Sequence, residues 1–111
     1  MTLASDLESD LSVTCAERDG GVTVHVAGDL DTYTSIKLRR VIDDYIRQRV
    51  SAITLNMIDV TFIDSGGLGL LVSSQRAAHG AGIAFSLTQP SGAVARLLDV
   101  TGMLDRLVSP A

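Results

Sequence analysis

The sequence predicts one α/β domain in which a small mixed sheet of four to five strands is covered by about three helices. The chain of 111 residues has the length of a single domain, and no Pro/Gly/Ser-rich linker divides it. Segments with strand patterns alternate with segments whose apolar residues recur at helical spacing, which is typical of the α/β class. Residues 1–10 are acidic and lack a strong period, so we expect a mobile tail followed by a domain over residues 11–111.

The first elements are predicted to be the two strands of a hairpin. Apolar and polar residues alternate over residues 11–17 and 22–27, and the RDGG sequence between them is typical of a tight turn. Residues 28–31 close the second strand. Cys15 lies within the alternating stretch, so we expect a buried structural thiol. As the single cysteine it cannot form a disulfide within the chain.

A first amphipathic helix is predicted to follow and to run through Arg49, because apolar residues recur three and four positions apart. Asp31 or Thr32 is placed to cap it, since a side-chain oxygen there can accept a hydrogen bond from an unpaired backbone N–H. Residues 52–57 are apolar or β-branched and bounded by polar residues, which is typical of a buried strand. Residues 59–63 are then expected to form a loop that leads into a second helix.

The remaining elements follow from helical spacing and from glycine breaks. Helical spacing over residues 68–79 predicts the second helix, which the following glycines end. The pattern of residues 83–87 predicts another short strand. A third helix is expected to start at Ser91 and to stop at Gly102. A last short strand is predicted over residues 104–108.

Charge and composition disfavour several classes of function. The net charge is −4 and the basic residues are scattered, so we expect no direct binding of nucleic acid. No apolar stretch approaches the roughly 20 residues of a membrane span, and the acidic N-terminus does not fit a signal peptide. We therefore expect a cytoplasmic protein without membrane insertion. His25 and His79 lie far apart in different elements, so no metal site built on histidines is expected. No cofactor is expected either.

The segment Asp64-Ser65-Gly66-Gly67 carries the chemistry. It opens the second helix, and its glycines leave backbone N–H groups uncovered at the positive end of the helix dipole. Such a place suits an anion, and a phosphate on Ser65 would add about −1.5 to −2 charges, which these amides can partly satisfy. The alternative is that Ser65 is merely an N-cap and that the glycines merely permit close packing.

The same four residues resemble the nucleophile segment of trypsin-like serine proteases. The context argues against that resemblance, because Ile63 and Leu68 flank the motif where those enzymes have a glycine and a proline. No base can be assigned to Ser65, and a nucleophile without a base is a poor catalyst. We therefore expect no catalytic residues and no enzymatic activity.

Three motifs stand in order along the chain: Gly28-Asp29-Leu30-Asp31, residues 62–69 after residues 55–57, and residues 97–103. Taken together they resemble the STAS family, and bacterial anti-sigma factor antagonists in particular. The resemblance runs from about Leu11 to Val108 and implies a STAS-type fold. It also implies that Ser65 is phosphorylated by a cognate anti-sigma factor, which is itself a serine kinase with a histidine-kinase-like ATP fold. The unmodified protein would bind that kinase and free a sigma factor, and a serine phosphatase is a further expected partner.

The resemblance also implies a partner-binding site. Its residues are Asp31, Asp64, Ser65, Gly66, Gly67 and Leu68. Asp31 matches the acid of the family's Gly-Glu-Leu-Asp turn near the phosphorylation loop, while Asp29 replaces the Glu. Gly66 departs from the usual Ser or Thr, so the role of a second hydroxyl is absent and Ser65 is the only acceptor that the loop offers.

Two further expectations follow from the same resemblance. Family members commonly continue from the last strand into another helix, and this chain ends at Ala111, so that helix is expected to be missing. The competing function within the family is a module that is never phosphorylated. Such a module would act as a scaffold or as the soluble subunit of a membrane transport system.

Overall fold

The computed structural model describes residues 11–108. Its strands form one mixed sheet, in the order β1-β2-β3-β4: β1 Leu11–Arg18, β2 Gly21–Leu30, β3 Ala52–Ile63 and β4 Ala84–Thr88. β1 and β2 form the predicted antiparallel hairpin, whereas β3 is parallel to both β2 and β4. The predicted mixed sheet is therefore confirmed, while the tail predicted for residues 1–10 lies outside the described residues.

Helices connect and follow these strands. Over the described part of the chain they are α1 Ser35–Arg47, α2 Ser65–Gly80, α3 Gly92–Val100 and the one-turn α4 Leu104–Leu107. The first three correspond to the three predicted helices. Their buried side chains share one core with the apolar residues of β2, β3 and β4; the helical members include Leu38, Ile42, Leu70, Leu71, Val94 and Leu98. None of the helices within residues 11–108 is long and apolar enough to cross a membrane.

Residues 59–63 form the second half of β3, so the predicted loop is wrong. β3 continues beyond the end of its pairing with β4 and stays paired with β2 until Leu30 lies opposite Ile63. The pairing contains two register irregularities, which break the simple alternation that a sequence pattern can show. Cross-strand contacts line this stretch: His25 Nε2 lies 2.8 Å from Asp59 Oδ2, and the Thr61 hydroxyl donates to Asp29 at 2.9 Å.

Residues 104–107 form α4, so the strand predicted over residues 104–108 is wrong. The backbone N–H of Leu107 donates to the Met103 carbonyl at 3.1 Å, and that of Val108 donates to the Leu104 carbonyl at 3.0 Å. Leu107 is buried in the core, and Val108 forms an isolated parallel bridge with Leu87. A run of five residues is too short for its period to separate a strand from a helical turn.

Cys15 is exposed, so the prediction of a buried thiol is wrong. It pairs with the buried Val24 and shares its face of the sheet, but β1 is an edge strand that the helices cover only in part. Tyr45 of α1 reaches this strand. The pKa of Tyr45 is raised to about 12. A hydrogen bond with Cys15 is the main cause, and desolvation by burial is the second.

Candidate functional site

The segment that contains Ser65 lies where the three parallel strands end. The turn at residues 31–34 follows β2, Asp64 and Ser65 follow β3, and residues 89–91 follow β4. Because β2, β3 and β4 run in the same direction, all three connections meet at one edge of the sheet. In open α/β sheets this edge is where ligands and partners usually bind.

Asp64, and not Ser65, is the N-cap of α2. Asp64 has an extended backbone, and its Oδ1 accepts a hydrogen bond from the Gly67 N–H at 3.0 Å. Ser65 is the first helical residue and is exposed. Its hydroxyl has no hydrogen-bond partner among residues 11–108. The alternative in which Ser65 serves as the cap is therefore wrong, and the serine hydroxyl is left for other chemistry.

Gly66 and Gly67 allow the first turn of α2 to approach the end of β2. A Cβ atom on Gly67 would fall on the Leu30 carbonyl oxygen, and a Cβ atom on Gly66 would fall on the Thr32 hydroxyl. The Thr32 Cα atom would also lie only 2.8 Å from a Cβ at Gly66. The close-packing role considered for the glycines is confirmed. It also explains why this chain has no side chain at position 66.

Asp31 organises the turn that packs against α2. Its Oδ1 accepts a hydrogen bond from the Thr34 N–H at 2.8 Å, and the Thr34 hydroxyl donates to the Asp29 carbonyl at 2.7 Å. Hydrogen bonds to the Asp31 carboxylate, from the Thr34 N–H above all and also from the Thr34 hydroxyl, lower the pKa of Asp31. The N-cap residue of α1 is Thr34, and no side chain caps this helix, so the cap predicted at Asp31 or Thr32 is wrong. Asp31 instead holds the turn that precedes α1. The Asp31 carboxylate is engaged by Thr34 and shapes the site without bonding to Ser65.

A groove of about 840 Å³ begins at Ser65 and follows the exposed side of α2. Leu68, the last predicted site residue, lines it together with Val72 and Met103. Arg76, His79 and Arg106 line its far end, and no carboxylate among the described residues lines it. The Gln75 side chain donates to the Arg106 carbonyl at 2.7 Å and ties α2 to α4 beside the groove.

Residues 12–110 match the family model of the STAS domain. The chain belongs to the STAS domain family. It is similar to the anti-sigma-B factor antagonist of Staphylococcus epidermidis, with 29% identity over 96 residues that cover 86% of this chain and 89% of the relative. The predicted family is therefore confirmed.

The STAS domain also resembles solved structures. An anti-sigma factor antagonist from Mycobacterium paratuberculosis superposes with a TM-score of 0.81 at 23% identity, covering 94% of this chain and 88% of that chain. The Bacillus cell fate determinant SpoIIAA in its phosphorylated form superposes with a TM-score of 0.71 at 22% identity, covering 90% and 92%. At these identities the likeness shows the fold, and it confirms the predicted STAS-type architecture.

Exposed apolar side chains occur in the segments that border the Ser65 site of this STAS domain, and the sequence analysis did not identify them. Tyr33 is 73% exposed, Ile36 53% and Phe62 48%. Tyr33 lies in the turn after β2, and Phe62 lies two residues before Asp64. The available signal was that two of only four aromatic residues flank the two motifs of this edge. Large exposed apolar side chains around one site are typical of an interaction surface.

His25 has a carboxylate partner, although none was assignable from the sequence. Its contact with Asp59 lies along the middle of β2 and β3, before the strands reach the edge that carries Ser65. The Ser65 hydroxyl bonds to neither residue. Within residues 11–108, no three His, Cys, Asp or Glu side chains are grouped so as to hold a metal ion.

Proposed function

We propose that this STAS domain is an anti-sigma factor antagonist that is switched by phosphorylation of Ser65. In its unmodified form it binds a cytoplasmic anti-sigma factor with serine kinase activity, and this binding frees the sigma factor. Phosphorylation by the same partner ends the complex, and a serine phosphatase resets it. The observation that carries the proposal is the exposed Ser65 hydroxyl, which the Asp64 cap leaves without a hydrogen-bond partner among the described residues.

The chemistry asked of this chain is that of an acceptor. The Ser65 Oγ attacks the γ-phosphorus of ATP held by the partner kinase. An O–P bond forms while the bond from that phosphorus to the bridging oxygen breaks, ADP leaves, and the hydroxyl proton passes to a base of the kinase. The added phosphate lies at the positive end of α2, where the helix dipole favours a negative charge. The modification is therefore compatible with the folded domain.

The surroundings of Ser65 explain why a phosphate would end the complex. A partner that covers Tyr33, Phe62 and the groove along α2 removes water from Ser65 as well. A dianion placed in such a desolvated contact costs several kcal/mol unless a cation meets it. The nearest groove cation on α2, Arg76, follows Ser65 by eleven positions, about 16 Å along a helix at 1.5 Å per residue. It is too far away to neutralise the phosphate.

Two similar proteins support this proposal. The Staphylococcus epidermidis relative is named an anti-sigma-B factor antagonist, and the similar SpoIIAA has been solved in a phosphorylated form. The name supports the class of partner, and the phosphorylated structure supports the kind of modification.

Intact-mass measurement and calorimetry test the proposal. With the cognate anti-sigma kinase, ATP and magnesium, the wild type is expected to gain one phosphate and Ser65→Ala none. Ser65→Ala is expected to bind the kinase as tightly as the unmodified wild type. Ser65→Asp and Ser65→Glu are expected to bind at least about tenfold more weakly, which corresponds to about 1.4 kcal/mol. Ser12→Asp, which changes an exposed serine of β1, is the matched control.

Equal affinity of all these variants for the kinase would exclude the switch. A wild type that gains no phosphate in the same assay would favour the competing function, a STAS domain that acts as a scaffold or as a subunit of a transport system.

A further inference from the structure

Thr32 lies directly over the first turn of α2, although it belongs to the turn after β2. Its Oγ1 and Cβ atoms occupy the place that a side chain on Gly66 would need, and the Cβ atom is 2.8 Å from that position. Gly66 is the residue next to Ser65. The Thr32 side chain therefore fills the surface beside the proposed phosphoacceptor that Gly66 leaves without a side chain.

Hydrogen bonds from residues before and after Thr32 hold the turn in which it lies. The Thr34 N–H donates to the Asp31 carboxylate at 2.8 Å, and the Asp31 N–H donates to the Thr34 hydroxyl at 3.0 Å. The Ser35 hydroxyl donates to the Thr32 carbonyl oxygen at 2.9 Å. Thr34 is buried at 6% exposure. Because these bonds restrain the backbone around Thr32, its side chain is already placed before a partner arrives.

Thr32 is an exposed residue, and its hydroxyl has no hydrogen-bond partner among residues 11–108. The Ser73 hydroxyl, further along the groove, differs: it accepts from the Arg39 guanidinium at 3.0 Å and lies 3.1 Å from the Leu70 carbonyl, to which it donates. A free hydroxyl offers one donor and two acceptor sites. A protein that encloses Ser65 also covers the neighbouring Thr32 and has to satisfy or desolvate this hydroxyl.

We propose that Thr32 is a specificity-determining residue of the Ser65 site. Its hydroxyl forms a hydrogen bond with the partner kinase when Ser65 is presented for phosphorylation. The inference rests on the proposed function, because it names a contact that the kinase makes at the same site. Ser65 remains the acceptor of the phosphate, and Thr32 contributes to recognition through its position beside Gly66.

Two substitutions separate recognition of the hydroxyl from packing against Gly66. Thr32→Val keeps the shape of the side chain and removes the hydroxyl, whereas Thr32→Ser keeps the hydroxyl and removes the methyl group. Thr32→Ala is a second hydroxyl-free variant, and it adds no atom to the contact with Gly66. Thr23→Val, at an exposed threonine of β2, is the matched control. Thermal denaturation of each variant establishes that it is folded.

Initial rates of Ser65 phosphorylation by the purified anti-sigma kinase, with ATP and magnesium, are measured over a range of STAS domain concentrations. Thr32→Val and Thr32→Ala are expected to raise KM about three- to tenfold, as for the loss of one hydrogen bond, with little change in kcat. Thr32→Ser and Thr23→Val are expected to match the wild type.

The possible failures are distinguishable. If the wild type is phosphorylated and the hydroxyl-free variants share its KM, the role of Thr32 is overturned while the function of Ser65 stands. If Thr32→Ser is as impaired as Thr32→Val, the methyl group matters and recognition of the hydroxyl is overturned. A phosphate mapped to Thr32 in the Ser65→Ala protein would make Thr32 an acceptor, which also overturns the inference. A wild type that accepts no phosphate overturns the proposed function itself.

Discussion

A serine followed by a glycine stands at the start of both α2 and α3, yet the two helices use the serine in opposite ways. Ser91 is the N-cap of α3: its hydroxyl accepts from the Val94 N–H at 3.3 Å, and the residue is only 9% exposed. Ser65 stands one position later in its helix, because Asp64 is the cap of α2. The comparison shows that a shift of one residue decides whether a serine hydroxyl is consumed by the helix or left available.

The glycines of the two turns differ as well. Space around Gly92 in α3 is open, and an added Cβ would meet no atom within 4 Å. Gly66 and Gly67 of α2 are pressed against the end of β2 and the turn that follows it. The first turn of α3 is therefore held by its own cap, whereas the first turn of α2 is also held by a neighbouring segment of the chain.

The largest expected effect is a difference in unfolding free energy between alanine substitutions at Gly67 and at Gly92. Gly67→Ala is expected to destabilise the domain by about 3 kcal/mol, because its Cβ falls on the Leu30 carbonyl and the backbone must shift. Gly92→Ala, the matched change in α3, is expected to be neutral or to stabilise by about 0.5 kcal/mol. Urea denaturation measures both free energies of unfolding. Similar values for the two variants would contradict the difference in packing.

A smaller difference in unfolding free energy is expected between alanine substitutions at Ser91 and at Ser65. Ser91→Ala is expected to cost about 1 kcal/mol of unfolding free energy, because the Val94 N–H loses its acceptor. Ser65→Ala is expected to change that free energy by less than about 0.5 kcal/mol, since its exposed hydroxyl makes no hydrogen bond within residues 11–108. Asp64→Ala serves as the positive control in α2 and should resemble Ser91→Ala. A Ser65→Ala variant as unstable as Ser91→Ala would show that the fold uses the Ser65 hydroxyl.

The smallest expected effect concerns pH, because an ionised side chain, Asp31, holds the turn that packs on α2, whereas α3 begins with a neutral cap. Hydrogen bonds from backbone N–H groups, that of Thr34 first, lower the pKa of Asp31 in the folded state below its ordinary value of 3.8. The carboxylate therefore stabilises the fold above that ordinary value, and this contribution is lost as the pH falls through the lowered pKa. Thermal denaturation of wild type and Asp31→Asn should show a difference at neutral pH that shrinks in acid. A constant difference would argue against a role for the charge.

Local patterns were sufficient for most of the fold. The hairpin, α1, α2 and α3 were predictable because period, turn residues and helix breaks are properties of consecutive residues. Residues 59–63 were not, because their strand depends on continued pairing with β2 across register irregularities. Residues 104–107 were too few to show a period, and their helical turn forms where Leu107 enters the core. Cys15 has a core-facing position in an alternating pattern, but its exposure depends on what packs over the edge strand.

The sequence by itself determined that Ser65 stands at the start of a helix, that Gly66 removes a second hydroxyl from its loop, and that the motif order is that of a STAS domain. Only the tertiary structure decided that Asp64 takes the cap and that Leu30 and Thr32 fill the space beside the two glycines. The physical reason is that these contacts join the end of β2 to the start of α2. The periodicity of consecutive residues cannot show that two segments so far apart in the chain come into contact.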